Sequence, residues 1–309
     1  MRLGSDHVRV RVPATSANLG PGFDALGLAL GLVDEIEVRA LGSDEVRVHV
    51  EGEGADEVPG DATHLVVRAI RHALEHVGAP LTGLELTCRN AIPHGRGLGS
   101  SAAAVVAGIL AARGLVADQE ALDDDVALSL ATDLEGHPDN AAPALFGGLT
   151  VAWTPAGAAR AVRVPVDARI APVVLVPSTR LATKKARGVL PAQVPHADAA
   201  FNAGRAALLV EALSREPSLL LDATEDRLHQ DHRAVVMPET LALVRALRAK
   251  GVAAVVSGAG PTVLVLARSG PSGETDADAA IAEVFGPSMG VWQVRRPGIA
   301  DVGASVERL

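Results

Sequence analysis

The chain has 309 residues, 48% of them hydrophobic, one cysteine and a formal net charge of −9. That length suits two domains, the acidic balance excludes nucleic acid as a main partner because phosphate backbones select basic surfaces, and a lone cysteine excludes an internal disulfide. No apolar run reaches about 18 residues, so no membrane association is expected, and the amino terminus lacks the apolar core of a secretion signal. The expectation is a cytoplasmic protein in a reducing compartment. Only three of the 28 basic residues are lysines (Lys184, Lys185, Lys250), so an essential cation is expected to be an arginine or a metal.

In chain order, residues 7–14 (HVRVRVPA) alternate as a strand that Pro13 ends, and 34–41 (DEIEVRAL) and 45–54 (EVRVHVEGEG) continue the period-two pattern. Residues 61–78 predict an amphipathic helix capped by Asp61 or Thr63 and stopped by Gly78. Residues 83–90 (GLELTCRN) read as a strand, with Cys88 as a small core residue. A glycine-rich loop follows, then an apolar helix from Ser100 to Arg113 closed by Gly114. Residues 118–136 predict a helix capped by Asp118. HPDNAAPALFGG starts a short helix with Pro138 near its first position. Residues 148–153 form a strand.

The softer stretch 154–169 places a domain boundary, dividing the chain into 1–160 and 161–309. Beyond it come a strand at 170–178, helices at 199–213, 216–221 and 238–250, two apolar strands around the turn SGAGPT, a helix at 276–286 and a strand at 290–297. Many strands alternate in polarity, which suits an α+β protein with mixed or antiparallel sheets and helices packed on one face.

IPHGRGLGSSAAA (92–104) sits between a strand and a helix. Gly95, Gly97 and Gly99 let backbone N–H groups approach an anion, and Ser100 and Ser101 open a helix whose free amides and dipole favour phosphate. A serine hydroxyl there can also ligate Mg²⁺. From spacing alone the segment is either such a loop or a bare strand–turn–helix junction. It is neither a Walker motif, which needs a lysine after the last glycine, nor the dinucleotide pattern G-x-G-x-x-G.

PHGRGLGSSAA resembles the Pro-x-x-x-Gly-Leu-Gly-Ser-Ser-Ala-Ala loop of the GHMP kinases, a family named for galactokinase, homoserine kinase, mevalonate kinase and phosphomevalonate kinase. VPATSANLGPGFDALGLAL (12–30) resembles the family's amino-terminal motif in the form typical of homoserine kinases. VVSGAGPTVLVLA (255–267) resembles its carboxy-terminal glycine motif. The three occur in family order, so the resemblance spans essentially the whole chain. It implies a two-domain GHMP kinase fold with a ferredoxin-like carboxy-terminal domain, the substrates ATP and L-homoserine with Mg²⁺, O-phosphohomoserine for threonine synthesis as the product, and a homodimer.

The resemblance also implies roles. Pro93, His94, Gly95, Arg96, Gly97, Leu98, Gly99, Ser100 and Ser101 bind ATP, with Thr63 and His64 by the adenine; His64 stands where homoserine kinases often carry asparagine. Ser101 and Glu135 hold the metal. Asn18, Asp24, His137, Asn140 and Gly258 bind substrate, with Asp24 on the ammonium. Arg187 and Arg233 clamp the carboxylate, for which a planar guanidinium fork is suited.

Asn140, with Asp139 beside it, takes the catalytic position that mevalonate kinases fill with aspartate. An amide cannot accept a proton near neutral pH, so it orients the alcohol instead. From the residues alone, Asn18 and Asp24 can equally be turn formers, and HPDN a helix start. Two other readings are a different GHMP small-molecule kinase and a non-catalytic nucleotide- or metabolite-binding relative.

Overall fold

A computed structural model describes residues 1–155, 157–270, 273–285 and 292–309. Two strands organise its larger sheet: β1 (His7–Asn18) and the 20-residue β2 (Gly22–Leu41). They form an antiparallel hairpin whose register shifts between Pro13 and Ala14 and between Ala17 and Asn18. β3 (Val46–Gly52) and β4 (Gly83–Asn90) are parallel neighbours, with α1 (Leu65–His76) as the crossover between them. The strand order is β11-β1-β2-β4-β3, where β11 is Ser305–Arg308, and β5 (Leu149–Trp153) pairs with the other end of β2 and with β6 (Arg160–Val164). This sheet therefore takes strands from both sides of residue 160.

Pro13 does not end β1. It sits at the register shift, where its missing N–H is tolerated, and the strand runs on to Asn18. From Val12 to Asn18 every residue is buried, so the polarity alternation that marks a half-exposed strand disappears.

On one face of the sheet, Val8, Val10 and Val12 of β1, Ile36 and Val38 of β2, and Leu84 and Leu86 of β4 meet α1 and α2 (Ser100–Leu115). α2 is buried nearly all round, with Val105, Val106, Ile109 and Leu110 each at most 2% exposed. Gly114 lies inside it rather than beyond it. α1 begins at Leu65, capped by His64, whose Nδ1 accepts the Val66 amide at 3.3 Å; Asp61 instead accepts the Thr63 amide at 2.8 Å. α3 (Asp124–Glu135) is capped by Asp123, with a separate 3₁₀ turn at Gln119–Leu122. α4 (Ala141–Phe146) starts after Asn140, leaving Pro138 ahead of the helix.

The second sheet is antiparallel, in the order β10-β7-β9-β8, from β7 (Ile170–Pro177), β8 (Ala254–Val256), β9 (Val263–Arg268) and β10 (Trp292–Arg295). After β7 come α5 (Thr183–Arg187), α6 (His196–Ser214) and α7 (Leu220–Ala223). With α8 (Pro238–Ala249) and α9 (Asp278–Phe285) as crossovers, this is the ferredoxin-like βαββαβ arrangement. Both faces are apolar. Val174, Val176, Leu264 and Leu266 join the large core, whereas Val173, Leu175, Val263 and Val265 meet α8 and α9 in a second one. That explains the unbroken hydrophobic run of β9. The ends of the predicted segments 276–286 and 290–297, residues 286, 290 and 291, lie outside the described residues. Among the described residues no helix is long and apolar enough to cross a membrane.

Gly108 in the middle of α2 is where α1 crosses. A Cβ there would stand 2.6 Å from Ala69 Cβ and from the Val66 carbonyl oxygen. Helix propensity alone favours Gly108→Ala by about 0.5–1 kcal/mol. The close approach reverses that sign, and the variant should lose about 1–3 kcal/mol by overpacking, read as a lower urea midpoint.

Candidate functional site

The glycine-rich loop leaves β4, crosses to the second sheet and enters α2. Gly95, Gly97 and Gly99 have φ of 64°, 77° and 72°, the left-handed region. Two of them are also sterically forced. A Cβ on Gly97 would meet the Ser257 carbonyl oxygen at 2.3 Å, and one on Gly99 would meet Thr15 Oγ1 at 1.9 Å.

Neighbouring backbone holds the loop from three sides. Its Gly95, Arg96 and Leu98 carbonyls accept the amides of Leu181, Thr262 and Thr15 at 3.0, 3.2 and 3.1 Å. Ser257 Oγ donates to the Gly97 carbonyl at 2.6 Å. No side chain caps α2, so its first amides and its positive end face the cavity that Gly95, Gly97, Gly99, Ser100, Ser101 and Ala102 line. This is the geometry of an anion site.

The SANLGPGFD segment forms the tip of the β1–β2 hairpin. Asn18, Leu19 and Asp24 have φ of 68°, 50° and 56°, an uncommon run of left-handed non-glycine residues. Asn18 holds it in place, with Nδ2 donating to the Gly258 carbonyl at 2.9 Å and Oδ1 accepting the Asp24 amide at 3.0 Å. The Gly258 amide returns a bond to the Ala17 carbonyl at 3.0 Å.

At the end of α3, Ser101 Oγ donates to Glu135 Oε1 at 2.5 Å. Burial pushes the Glu135 carboxyl above its ordinary range, with the Ser101 bond opposing. A half-buried carboxylate and a hydroxyl beside a helix N-terminus are donors of the kind that suit Mg²⁺, which binds through one or two carboxylates together with phosphate oxygens and water. Among the described residues no group of three or more His, Cys, Asp or Glu forms a metal site by itself.

His137 Nδ1 lies 2.6 Å from Asp139 Oδ1, and Asp139 is 1% exposed. Asn140 Oδ1 accepts from Thr15 Oγ1 at 2.8 Å and its Nδ2 donates to Asp139 Oδ1 at 3.4 Å, which leaves one amide N–H for the cavity. At the far end, Arg187 and Asp24 form a bidentate pair, at 2.6 and 3.1 Å. Arg233 is 1% exposed, donates to the Gly258 carbonyl at 2.9 Å and to His229 Nδ1 at 3.0 Å, and has no carboxylate within salt-bridge distance among the described residues. Burial, then the neighbouring Arg187 charge, lowers its pKa to about 10, so it stays cationic at neutral pH.

These groups share one cavity of about 300 Å³, lined by Asn18, the loop glycines, Ser100, Ser101, Glu135, His137, Asp139, Asn140, Arg187, Arg233 and Gly258. Asp24 joins it through Arg187. Thr63, His64 and His94 line a second cavity of about 270 Å³, which shares Ser100 and Ser101 with the first. Pro93 and Leu98 are buried and line neither. Arg96 turns away from the loop's concave side and donates to the Pro177, Ser178 and His94 carbonyls at 2.9, 3.1 and 3.3 Å.

Sequence reasoning missed Thr183, Leu181 and Ala259 in the first cavity, Asp34 and Asn90 in the second, and Thr15 behind Asn140. Only Asp34 had a legible signal: a carboxylate in phase with Ile36 and Val38 on the apolar face of a strand.

A glycine-rich loop leading into an uncapped helix, a Ser101–Glu135 pair beside it and a charged pocket beyond them form the kind of site a small-molecule phosphotransferase needs. The family models for the GHMP kinases N terminal domain and GHMP kinases C terminal match residues 64–148 and 199–286. A homoserine kinase of Streptomyces coelicolor is 55% identical over 97% of this chain and 94% of its own. One of Leifsonia xyli subsp. xyli is 52% identical over 99% and 94%. The crystal structure of a homoserine kinase from Cytophaga hutchinsonii superposes with a TM-score of 0.85 at 28% identity, covering 98% of both chains. The L. major mevalonate kinase shares the fold, with a TM-score of 0.62 at 18% identity over 95% of this chain and 96% of its own. The chain belongs to the GHMP kinase family, and like other kinases of that family it uses ATP.

The His137–Asp139 contact is directly testable. The hydrogen bond to Asp139 raises the His137 pKa above 6.5, with burial opposing. The interaction therefore stabilises the fold fully below that pH, and the contribution is lost as pH rises through the folded-state value. Asp139→Asn should move the His137 ring-proton NMR titration to lower pH; an unmoved midpoint would contradict the pairing.

Proposed function

We infer that the protein transfers the γ-phosphoryl group of ATP to the side-chain hydroxyl of L-homoserine, forming O-phospho-L-homoserine and ADP. The observation that carries the substrate is the far end of the first cavity, where Asp24, Arg187 and the carboxylate-free Arg233 stand opposite the phosphate loop. A zwitterionic amino acid matches that set. Its ammonium meets Asp24 and its carboxylate meets Arg187 and Arg233, so one internal ion pair is exchanged for two external ones with no net charge buried. A sugar offers neither charge, and mevalonate lacks the ammonium. The names of the relatives above support the same substrate.

The phosphates of ATP lie against the loop and the first amides of α2, with the base toward Thr63, His64 and His94. Ser101 and Glu135 hold Mg²⁺, which when bound neutralises charge on the phosphates. Asn140 donates an amide hydrogen to the substrate hydroxyl and aims it at the phosphorus, because Thr15 already occupies its oxygen. His137, its proton held by Asp139, donates a second hydrogen bond at the substrate end. No carboxylate base is assigned. A loose transition state depends mainly on alignment and charge neutralisation, so the O–P bond forms as the bond to the ADP leaving oxygen breaks, and the hydroxyl proton passes to an oxygen of the transferred phosphoryl group.

ADP release on adding L-homoserine to enzyme with Mg-ATP tests the assignment. Turnover only with another alcohol would replace the substrate, and nucleotide binding without turnover on any alcohol would favour the non-catalytic reading. Arg233→Lys keeps a cation but loses the fork. It should raise the homoserine KM by roughly tenfold to a hundredfold, the size of a charge-assisted contact, with the ATP KM little changed. Ser101→Ala should do the reverse, raising the Mg-ATP requirement in a protein whose melting temperature is unaltered. Equal effects on both substrates in either variant would count against the division of the site.

A further inference from the structure

The second cavity contains a buried carboxyl that the reading above does not use. Asp34 lies on the face of β2 that Ile36 and Val38 continue as core residues, and it is 5% exposed itself. A charged group in such a place needs partners. Oδ1 has them, since the amides of Ala91 and Ile92 donate to it at 2.6 and 2.9 Å. Among the described residues nothing donates to Oδ2, and the carboxyl lines the cavity.

His64 lines the same cavity. Its Nδ1 accepts the Val66 amide, so the neutral ring carries its proton on Nε2. Asp34 and His64 thus bring an acceptor and a donor to a cavity that Thr63, Asn90 and His94 also line, amid the apolar surfaces of Ile36, Val58, Pro59 and Ala104, and it adjoins the glycine-rich loop at Ser100 and Ser101. A 6-aminopurine carries an N–H donor beside a ring-nitrogen acceptor. A 6-oxopurine carries the reverse pair, a carbonyl beside a ring N–H.

We propose that Asp34 is the base-selecting residue of this kinase, accepting a hydrogen bond from the exocyclic amine of the purine and rejecting 6-oxopurine nucleotides. The proposal rests on the reading that the base of the nucleotide occupies the second cavity. Rejection follows from placing two acceptors, the Asp34 carboxylate and the 6-oxo group, against each other beside a carboxyl that is 5% exposed. Sites that hydrogen-bond one form of a substrate discriminate far more strongly than apolar pockets do.

ITP differs from ATP in this edge of the base, so steady-state kinetics with the two nucleotides at saturating homoserine test the proposal. The unaltered protein should favour ATP by about a hundredfold or more in kcat/KM. In Asp34→Asn the amide keeps an oxygen for the Ala91 and Ile92 amides while offering an N–H to the cavity. The ATP-to-ITP ratio should then fall by at least about tenfold, with the homoserine KM unchanged. Ala104→Leu, which fills the same cavity, should raise the KM of both nucleotides alike.

If Ala104→Leu raises both while Asp34→Asn leaves the ratio unmoved, the role of Asp34 is overturned and the nucleotide site stands. If neither variant alters either nucleotide KM, the assignment of the cavity falls and the proposal with it. Should Asp34→Asn fail to fold, purine riboside triphosphate, which lacks the 6-amino group, is compared with ATP on the unaltered protein. A KM about tenfold above that of ATP is expected, and equal values overturn the proposal.

Discussion

The site depends on a contact between backbones. Gly97 lies so close to Ser257 that a single methyl group would collide with the Ser257 carbonyl at 2.3 Å, and Ser257 Oγ secures the approach through the Gly97 carbonyl. One residue further on, Gly258 exchanges hydrogen bonds with Ala17 and Asn18 at the hairpin tip. Three segments far apart in the chain therefore meet with almost no side chain between them. The anion loop, the hairpin that carries Asp24 and the turn between β8 and β9 form one rigid corner. Hydrogen-bonded backbone in a buried place has few alternative arrangements, so the phosphate end and the substrate end keep a fixed separation.

Around that corner the electrostatics divide the cavity. Near the loop the field comes from helix amides, with the hydrogen-bonded Ser101 and half-buried Glu135 beside them. At the other end the charges are side chains: Arg187 answered by Asp24, and Arg233 answered only by carbonyl oxygens and a neutral imidazole. Arg233 is the more informative of the two arginines. A guanidinium 1% exposed with no carboxylate within salt-bridge distance among the described residues is costly unless an anion comes to it, whereas the half-buried Arg187–Asp24 pair is satisfied as it stands and must open or be shared.

Much of this was legible in the chain. Period-two alternation located β3 and β4 almost to the residue, because one face of each is wet. It failed for β1, whose second half is buried on both faces, for β6, a short strand paired with the neighbouring β5, and for β11, which is a strand only because the distant β1 pairs with it. Capping rules named plausible residues and missed the actual ones, Asp123 and His64, because several acidic or polar side chains near each helix start could serve equally well until packing set the first turn. Of the site residues, those in contiguous motifs were readable. Leu181 and Thr183, outside any motif, were not, and Thr15 went unnamed inside its motif because a threonine there is chemically unremarkable until it meets Asn140.

The sequence by itself determined the family, the presence of an anion loop at 93–101 and the residue types able to meet an amino acid. Glycine spacing, helix caps and the chemistry of Asp, Asn and Arg are local properties that survive without a fold. Only the tertiary structure decided that Arg187 faces Asp24, that Arg96 is taken up by the Pro177 and Ser178 carbonyls instead of facing the cavity, and that Asp34 lines the second cavity rather than the core. Each of those depends on which elements lie side by side across long stretches of chain, a matter of packing and hydrogen-bond satisfaction that no single segment contains.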